Sequence, residues 1–262
     1  MNERDYNALP GIRSSQLKTT LELGPAAALA PSTGDSDSPS KRLGRLVHLY
    51  ALEPETADAR VLVAPEVDRR TKAGKDAWEA FAATVTADHE VASAEEIEQA
   101  QRLAIGVRAE IRRLAGGRDL IVEYPIQWQS DDGLPCKCKP DALLADHFGS
   151  VIVVDVKTTR ESLYGDSLSR AAWNWRYDLQ VAHYTEGVGT VYPVAGFWFV
   201  FVQVETGEVA ALEIDAQLLD RGQTDRRRAL DAIAAYQRGD TATVNSALRK
   251  PTILSLPAYA VR

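Results

Sequence analysis

The chain has 262 residues, 45% hydrophobic and 26% charged, which is the balance of a soluble globular protein with enough length for a full core. No apolar run reaches the roughly 18 residues of a membrane helix, and the opening "MNERDYNALPG" lacks the apolar core of a secretory signal, so the expectation is a cytoplasmic protein with no membrane partner. The net charge of −7 counts against a generally basic nucleic-acid binder, yet an acidic exterior is compatible with a local basic channel.

In chain order, residues 14–30 "SSQLKTTLELGPAAALA" read as a helix capped by Ser14 or Ser15 and interrupted at Gly24-Pro25. The small, polar run at 31–40 reads as a mobile loop. Helical spacing returns over 41–53, where Leu43, Val47 and Tyr50 share a face with His48 beside it. The segment 55–92 is mixed, with Arg69, Arg70, Lys72 and Lys75 grouped around a "TKAGK" turn. Residues 93–117 give the clearest helix. Ser93 and Glu96 form a capping box, an apolar stripe runs from Ile97 through Ala100, Ala104, Val107 and Ile111 to Leu114, and Gly116-Gly117 stops it.

The pattern then switches to strands at 119–128, 135–145 and 151–159, with "DDG" (131–133) and "DHFGS" (146–150) as hairpin turns. A helix follows over about 167–186, then a hairpin of 195–205 with 208–214, then a last helix over about 216–238. The expected fold is α/β: a mixed central sheet flanked by helices, with a helical N-terminal region. The hairpins argue against a purely parallel sheet. The chain is read as a single domain, 1–262, in which 1–118 is mainly helical and carries His48, and 119–262 holds the sheet.

Chemistry concentrates in "VIVVDVKTT", 151–159. Alternation along a strand puts Asp155 and Lys157 on one face, with Val156 on the other. Centring the "DHFGS" hairpin on Phe148 sets Asp141 opposite Asp155. Cross-strand neighbours lie roughly 4.5–5.5 Å apart at Cβ, and paired carboxylates there repel. A cation between them resolves the conflict, and the candidates are Lys157 and a divalent metal. With a metal held by Asp141 and Asp155, Lys157 would position a water or stabilise developing negative charge.

Other features have plainer readings. Cys136 and Cys138 are the only cysteines and read as reduced, core-facing thiols, since no second pair completes a metal site. Trp173 and Trp175 could stack on an unpaired base, but burial is the expected role. His183 reads as structural, and His89 and His147 as exposed. Lys137 and Lys139 share the Asp141 face and read as phosphate neighbours. Arg226, Arg227 and Arg228 read as a solvated face. The Arg69 to Lys75 group reads as either a solvated face or a basic loop tracking a DNA backbone.

Pro140-Asp141 followed by Asp155-x-Lys157 resembles the PD-(D/E)xK nuclease signature. "CKCKPDALL", "VIVVDVKTT" and then "YDLQVAHY" (177–184) look like the RecE-type, exonuclease VIII branch, which is similar to lambda exonuclease and the RecB nuclease domain. "GRLVHLYALEP" (44–54) and "GIRSSQLK" (11–18) resemble its upstream elements. The resemblance implies a restriction-endonuclease-like core. It implies His48, Asp141 and Asp155 as metal ligands and Lys157 as the catalytic lysine. Gln180 and Tyr184 would belong to the helix bordering the site, and Glu123 would be a further acidic ligand. It implies a Mg²⁺-dependent deoxyribonuclease, with Mn²⁺ able to substitute. The substrate would be double-stranded DNA ends degraded 5′ to 3′, in phage or bacterial recombination, with a single-strand annealing protein as partner and a homo-oligomeric ring as assembly. Alternatives are an endonuclease or single-strand-specific nuclease of this fold, or a non-catalytic relative that binds DNA or a partner.

Overall fold

The computed structural model describes residues 3–31 and 37–248. The elements run α1 (Glu3–Ala8), α2 (Ser14–Leu23), α3 (Pro25–Leu29), α4 (Pro39–Leu52), α5 (Pro54–Arg60), β1 (Val61–Val63), α6 (Lys72–Ala82), β2 (Glu90–Ala92), α7 (Ala94–Ala115), β3 (Asp119–Val122), β4 (Ile126–Gln129), β5 (Pro135–Cys138), β6 (Ala142–Ala145), β7 (Val151–Thr159), α8 (Ser167–Trp175), α9 (Tyr177–Gly189), β8 (Val194–Gln203), β9 (Val209–Glu213), α10 (Ala216–Gln237) and α11 (Thr241–Ala247). No helix among the described residues is long and apolar enough to cross a membrane.

The central sheet has the order β3-β6-β7-β8-β9. Its pairs are antiparallel except β7 with β8, which are parallel. The connection between those two carries α8 and α9 across one face, as a parallel pair requires. The mixed α/β architecture is the expected one.

Strand alternation sorts β7 between two cores. Val154 and Val156 join α4 and α7 residues such as Leu46, Val47, Leu103 and Val107. Val151 and Val153 face the opposite layer, with Leu17, Val181, Phe199 and Ile233. Asp155 and Lys157 therefore continue the second face toward the end of the strand. The helix α7 keeps its predicted caps: Ser93 Oγ accepts from Glu96 N, Glu96 returns a carboxylate to Ser93 N, and Gly116 closes it in the left-handed region.

Several boundaries differ from the sequence reading. The cap of α2 sits at Arg13, whose N–H donates to Gln16 Oε1 at 3.0 Å, not at Ser14 or Ser15. The helix α4 starts two residues early, because Ser38 caps it and Pro39 fits its first turn. Residues 32–36 of the expected loop lie outside the described residues. "TKAGK" is the start of α6, not a turn: Thr71 Oγ1 accepts from Gly74 N and caps that helix. Each of the first two expected strands divides. The first breaks at Glu123, which has φ +50, and the second at Lys139-Pro140-Asp141, where proline has no N–H for a ladder. The pieces β4 and β5 then form their own two-stranded sheet. The helix expected over 167–186 is two helices, because Arg176 adopts φ +58 between α8 and α9.

Two glycines fix where α9 lies. A Cβ on Gly222 of α10 would come 2.0 Å from the Asp178 carbonyl oxygen, and one on Gly187 would come 2.5 Å from the Trp128 ring. Only glycine allows these approaches, which press α9 between α10 and the β4–β5 hairpin and set the depth of its inward residues.

Candidate active site

The "DHFGS" turn gives the expected register. Ala142 pairs with Val154 and Ala145 with Val151, so Asp141, one residue before the ladder, falls at the level of Asp155. Asp141 Oδ2 accepts a 2.7 Å hydrogen bond from Val156 N. The Asp141 carbonyl accepts from Glu123 N at 3.1 Å, which carries Glu123 to the same point just beyond β3. Holding a glutamate at positive φ is costly, and such strain is kept where surrounding structure enforces it.

Across the sheet edge, α4 supplies His48. Its Nε2 lies 2.9 Å from the Val156 carbonyl oxygen and its Nδ1 3.5 Å from Asp141 Oδ1. Ligand atoms of His48, Glu123 and Asp141 all lie within 4.8 Å of one another. Asp155 stands outside that group of three. Its Oδ1 accepts from Gln180 Nε2 at 2.5 Å, and its Oδ2 is ion-paired with Lys157. That Oδ2 is buried against the Lys157 ammonium. Lys157 Nζ also sits 5.4 Å from the Tyr177 ring centroid and 5.7 Å from that of Phe199.

The electrostatics follow from crowding charge in a poorly hydrated corner. Burial works against a charged His48, but Asp141 and then Asp155 outweigh it and raise its pKa to about 9. Burial pushes Asp155 up to about 6, with Asp141 adding to the rise and Lys157 opposing it. Burial also opposes ionisation of Asp141, but His48 holds it below the usual carboxylate range. Glu123 is raised by burial and then by Asp141. For Lys157 burial is outweighed by Asp155 and Asp141, so the ammonium persists. Burial and then Asp155 keep the Tyr184 phenol well above its ordinary value, hence protonated.

These residues open onto a cleft of about 1000 Å³, lined by His48, Glu123, Asp141, Lys157, Tyr177 and Tyr184 among others. The donors suit a hard divalent cation: carboxylate oxygens, one imidazole and a nearby backbone carbonyl. His48, Asp141 and Glu123 are placed to hold it, with Asp155 adjoining. Gln180 and Tyr184 lie on α9, one turn apart, and Gln180 reaches Asp155 directly.

Some expectations fail here. Lys137 does not reach toward a phosphate: it is 3% exposed, and its Nζ donates to the carbonyls of Tyr6, Asn7 and Leu9 at 2.9, 3.1 and 2.6 Å. Lys139 is ion-paired with Glu123. Arg226 is buried against Glu186 and His183, and Arg228 binds Asp225, so only Arg227 fits the solvated face expected of the three. Trp173 and Trp175 are not buried but 55% and 63% exposed. The two thiols are free and buried, as expected. His183 is structural: its Nε2 lies 3.1 Å from the carbonyls of both Ile12 and Lys137. His147 is exposed and His89 half-buried. Sequence reasoning missed the Val156 backbone, whose N–H fixes Asp141 and whose carbonyl faces His48. It also missed Tyr6, delivered to the cleft by α1. No side-chain pattern marks either.

Comparison with known proteins bears on the fold and the family. No curated protein matches the sequence. A crystal structure from Eubacterium rectale, of a protein provisionally named an exonuclease, superposes with a TM-score of 0.59 at 15% identity, covering 98% of this chain and 95% of that one. At that identity the likeness is one of fold. The structure of SSO0001 overlaps at a TM-score of 0.31 and 14% identity, over 80% of this chain and 83% of that one, too weakly to support anything. A family match covers residues 13–247, a span that includes every candidate ligand, Lys157, Gln180 and Tyr184. The chain therefore belongs to the family described as PDDEXK-like domain of unknown function, DUF3799, and so to the PD-(D/E)xK superfamily.

Proposed function

We propose that the chain is a divalent-metal-dependent nuclease that hydrolyses DNA phosphodiester bonds, with Mg²⁺ as the working ion and Mn²⁺ able to replace it. The observation that carries this reading is the convergence of His48, Glu123 and Asp141 within 4.8 Å in an open cleft, beside the Asp155–Lys157 pair. A bound divalent ion would supply Lewis acidity and an acidified water. The side chains do the rest. Asp141, fixed by Val156 N, presents its other oxygen toward His48. Gln180 holds Asp155 by one oxygen. Lys157 keeps its charge and offsets negative charge building on the phosphate oxygens. Tyr184, kept protonated, can donate a hydrogen bond into the cleft.

Action as a 5′-to-3′ exonuclease on duplex ends rests on the motif likeness to the RecE-type branch. A role in recombination, an annealing partner and a ring assembly rest on that likeness alone. Purified protein with Mg²⁺ is given linear and covalently closed circular duplex DNA of one sequence. Nucleotide release from the linear form alone supports an exonuclease. Cutting of the circle establishes an endonuclease instead, and no release from either refutes the hydrolytic reading. Lys157→Ala is the control: activity that survives it overturns the assignment of the lysine.

A further inference from the structure

We propose that Trp175 is a stacking platform for one unpaired nucleobase of the substrate strand, so that the cleft takes DNA with a single-stranded or frayed segment. This inference rests on the nuclease reading and names the form of substrate that reading leaves open.

Trp175 is the last residue of α8 and lines the cleft that holds His48, Asp141 and Lys157. An indole with 63% of its surface exposed costs hydration free energy that burial would recover. It is nevertheless held in place. Arg176 follows it at φ +58, pinned by Asp178 at 3.0 Å and Asp225 at 2.6 Å. Two residues on, Tyr177 lies under Lys157. The backbone between Trp175 and Tyr177 spans at most about 7 Å, and both residues line the cleft of the proposed point of cleavage.

The surroundings are polar and cationic. Lys18 Nζ lies 5.3 Å from the Trp175 ring centroid, and Arg13 lines the same cleft. Lys18 lies over one side of the ring, where it can meet a phosphate, and the exposed remainder suits a base, since every base has a π face. Inside a duplex both faces of a base are already stacked, so away from a duplex end the base that Trp175 receives is an unpaired one. Trp173 differs, because it is not among the cleft residues.

The test is equilibrium binding in EDTA, which separates recognition from cleavage. Full-length wild type, W175A and W175F are titrated against a labelled single-stranded oligothymidylate and against an abasic strand of equal length. W175A is expected to bind the oligothymidylate roughly 5- to 150-fold more weakly, the range of one aromatic–base stack, and W175F to stay within a few-fold of wild type. The abasic strand should not distinguish W175A from wild type. Equal binding of the oligothymidylate by wild type and W175A overturns the proposal. So does a wild type that self-associates through this face, seen as a change in sedimentation with W175A. Mg²⁺-dependent cleavage is scored separately. Weakened binding by W175A in a protein that cleaves nothing refutes the nuclease reading and keeps the platform, whereas normal cleavage with unchanged W175A binding does the reverse.

Discussion

Replacing Lys137 with methionine removes three donors and keeps most of the side chain's volume. In the wild type the ammonium, on a residue 3% exposed, caps the carbonyls of Tyr6, Asn7 and Leu9 at 2.6–3.1 Å. A hydrogen bond to a charged group contributes about 1.5–3 kcal/mol net. Three sharing one ammonium are not additive, and the Asn7 and Leu9 carbonyls are partly open to water that can replace a lost donor. The expected cost is about 1–3 kcal/mol, the penalty for leaving the buried Tyr6 carbonyl without a donor. The damage should be local first, because Lys137 ties the segment carrying α1 to β5, next to the Ile12–Cys136 bridge. Urea unfolding at neutral pH gives the total. Amide exchange should show residues 3–12 losing protection in Lys137→Met while β6 and β7 keep theirs. A loss under 1 kcal/mol with exchange unchanged would refute this picture of Lys137. Tyr6 lines the cleft, so release of α1 should also weaken substrate binding.

Gly222→Ala places a Cβ 2.0 Å from a backbone oxygen of α9, an overpacking that cannot be relieved by a rotamer, and should lower stability by about 2–3 kcal/mol or more in the same urea titration. His183 is held neutral: burial and then Arg226 depress its pKa to about 3 from 6.5. The unfolded chain therefore takes up a proton below pH 6.5 that the folded chain refuses until about pH 3, so this contribution is present above pH 6.5 and is lost as pH falls toward 3. It should amount to as much as about 5 kcal/mol, and His183→Gln should flatten stability against pH across that window. Gln180→Ala leaves Asp155 Oδ1 without the donor at 2.5 Å and should lower Mn²⁺ affinity or turnover about 10- to 100-fold, read by thermal shift with Mn²⁺ and by nucleotide release. A melting response to Mn²⁺ identical to wild type, with equal turnover, would show that Gln180 does not position Asp155.

What could be read from the sequence was what local chemistry decides. The hairpin register came from one five-residue turn, and the capping box of α7 from two residues three apart, so neither needed knowledge of the rest of the chain. The Asp155–Lys157 face followed from alternation alone. What could not be read depended on distant partners. Lys137 looks like a surface lysine until a segment about 130 residues earlier folds over it. Glu123 lies on a run that reads as one strand, and only its bond to the Asp141 carbonyl explains its turn out of the sheet at φ +50. Trp175 has the composition of a core residue. It ends α8 at the break at Arg176, whose partner Asp225 is 49 residues away.

The ion site is tested most directly by anomalous diffraction from crystals grown with Mn²⁺. A single strong peak in contact with His48 and Asp141, and absent from Asp141→Asn crystals prepared the same way, is the predicted result. A well-ordered cleft with no peak there, or a peak unchanged in Asp141→Asn, would contradict the assignment of these residues as the metal centre.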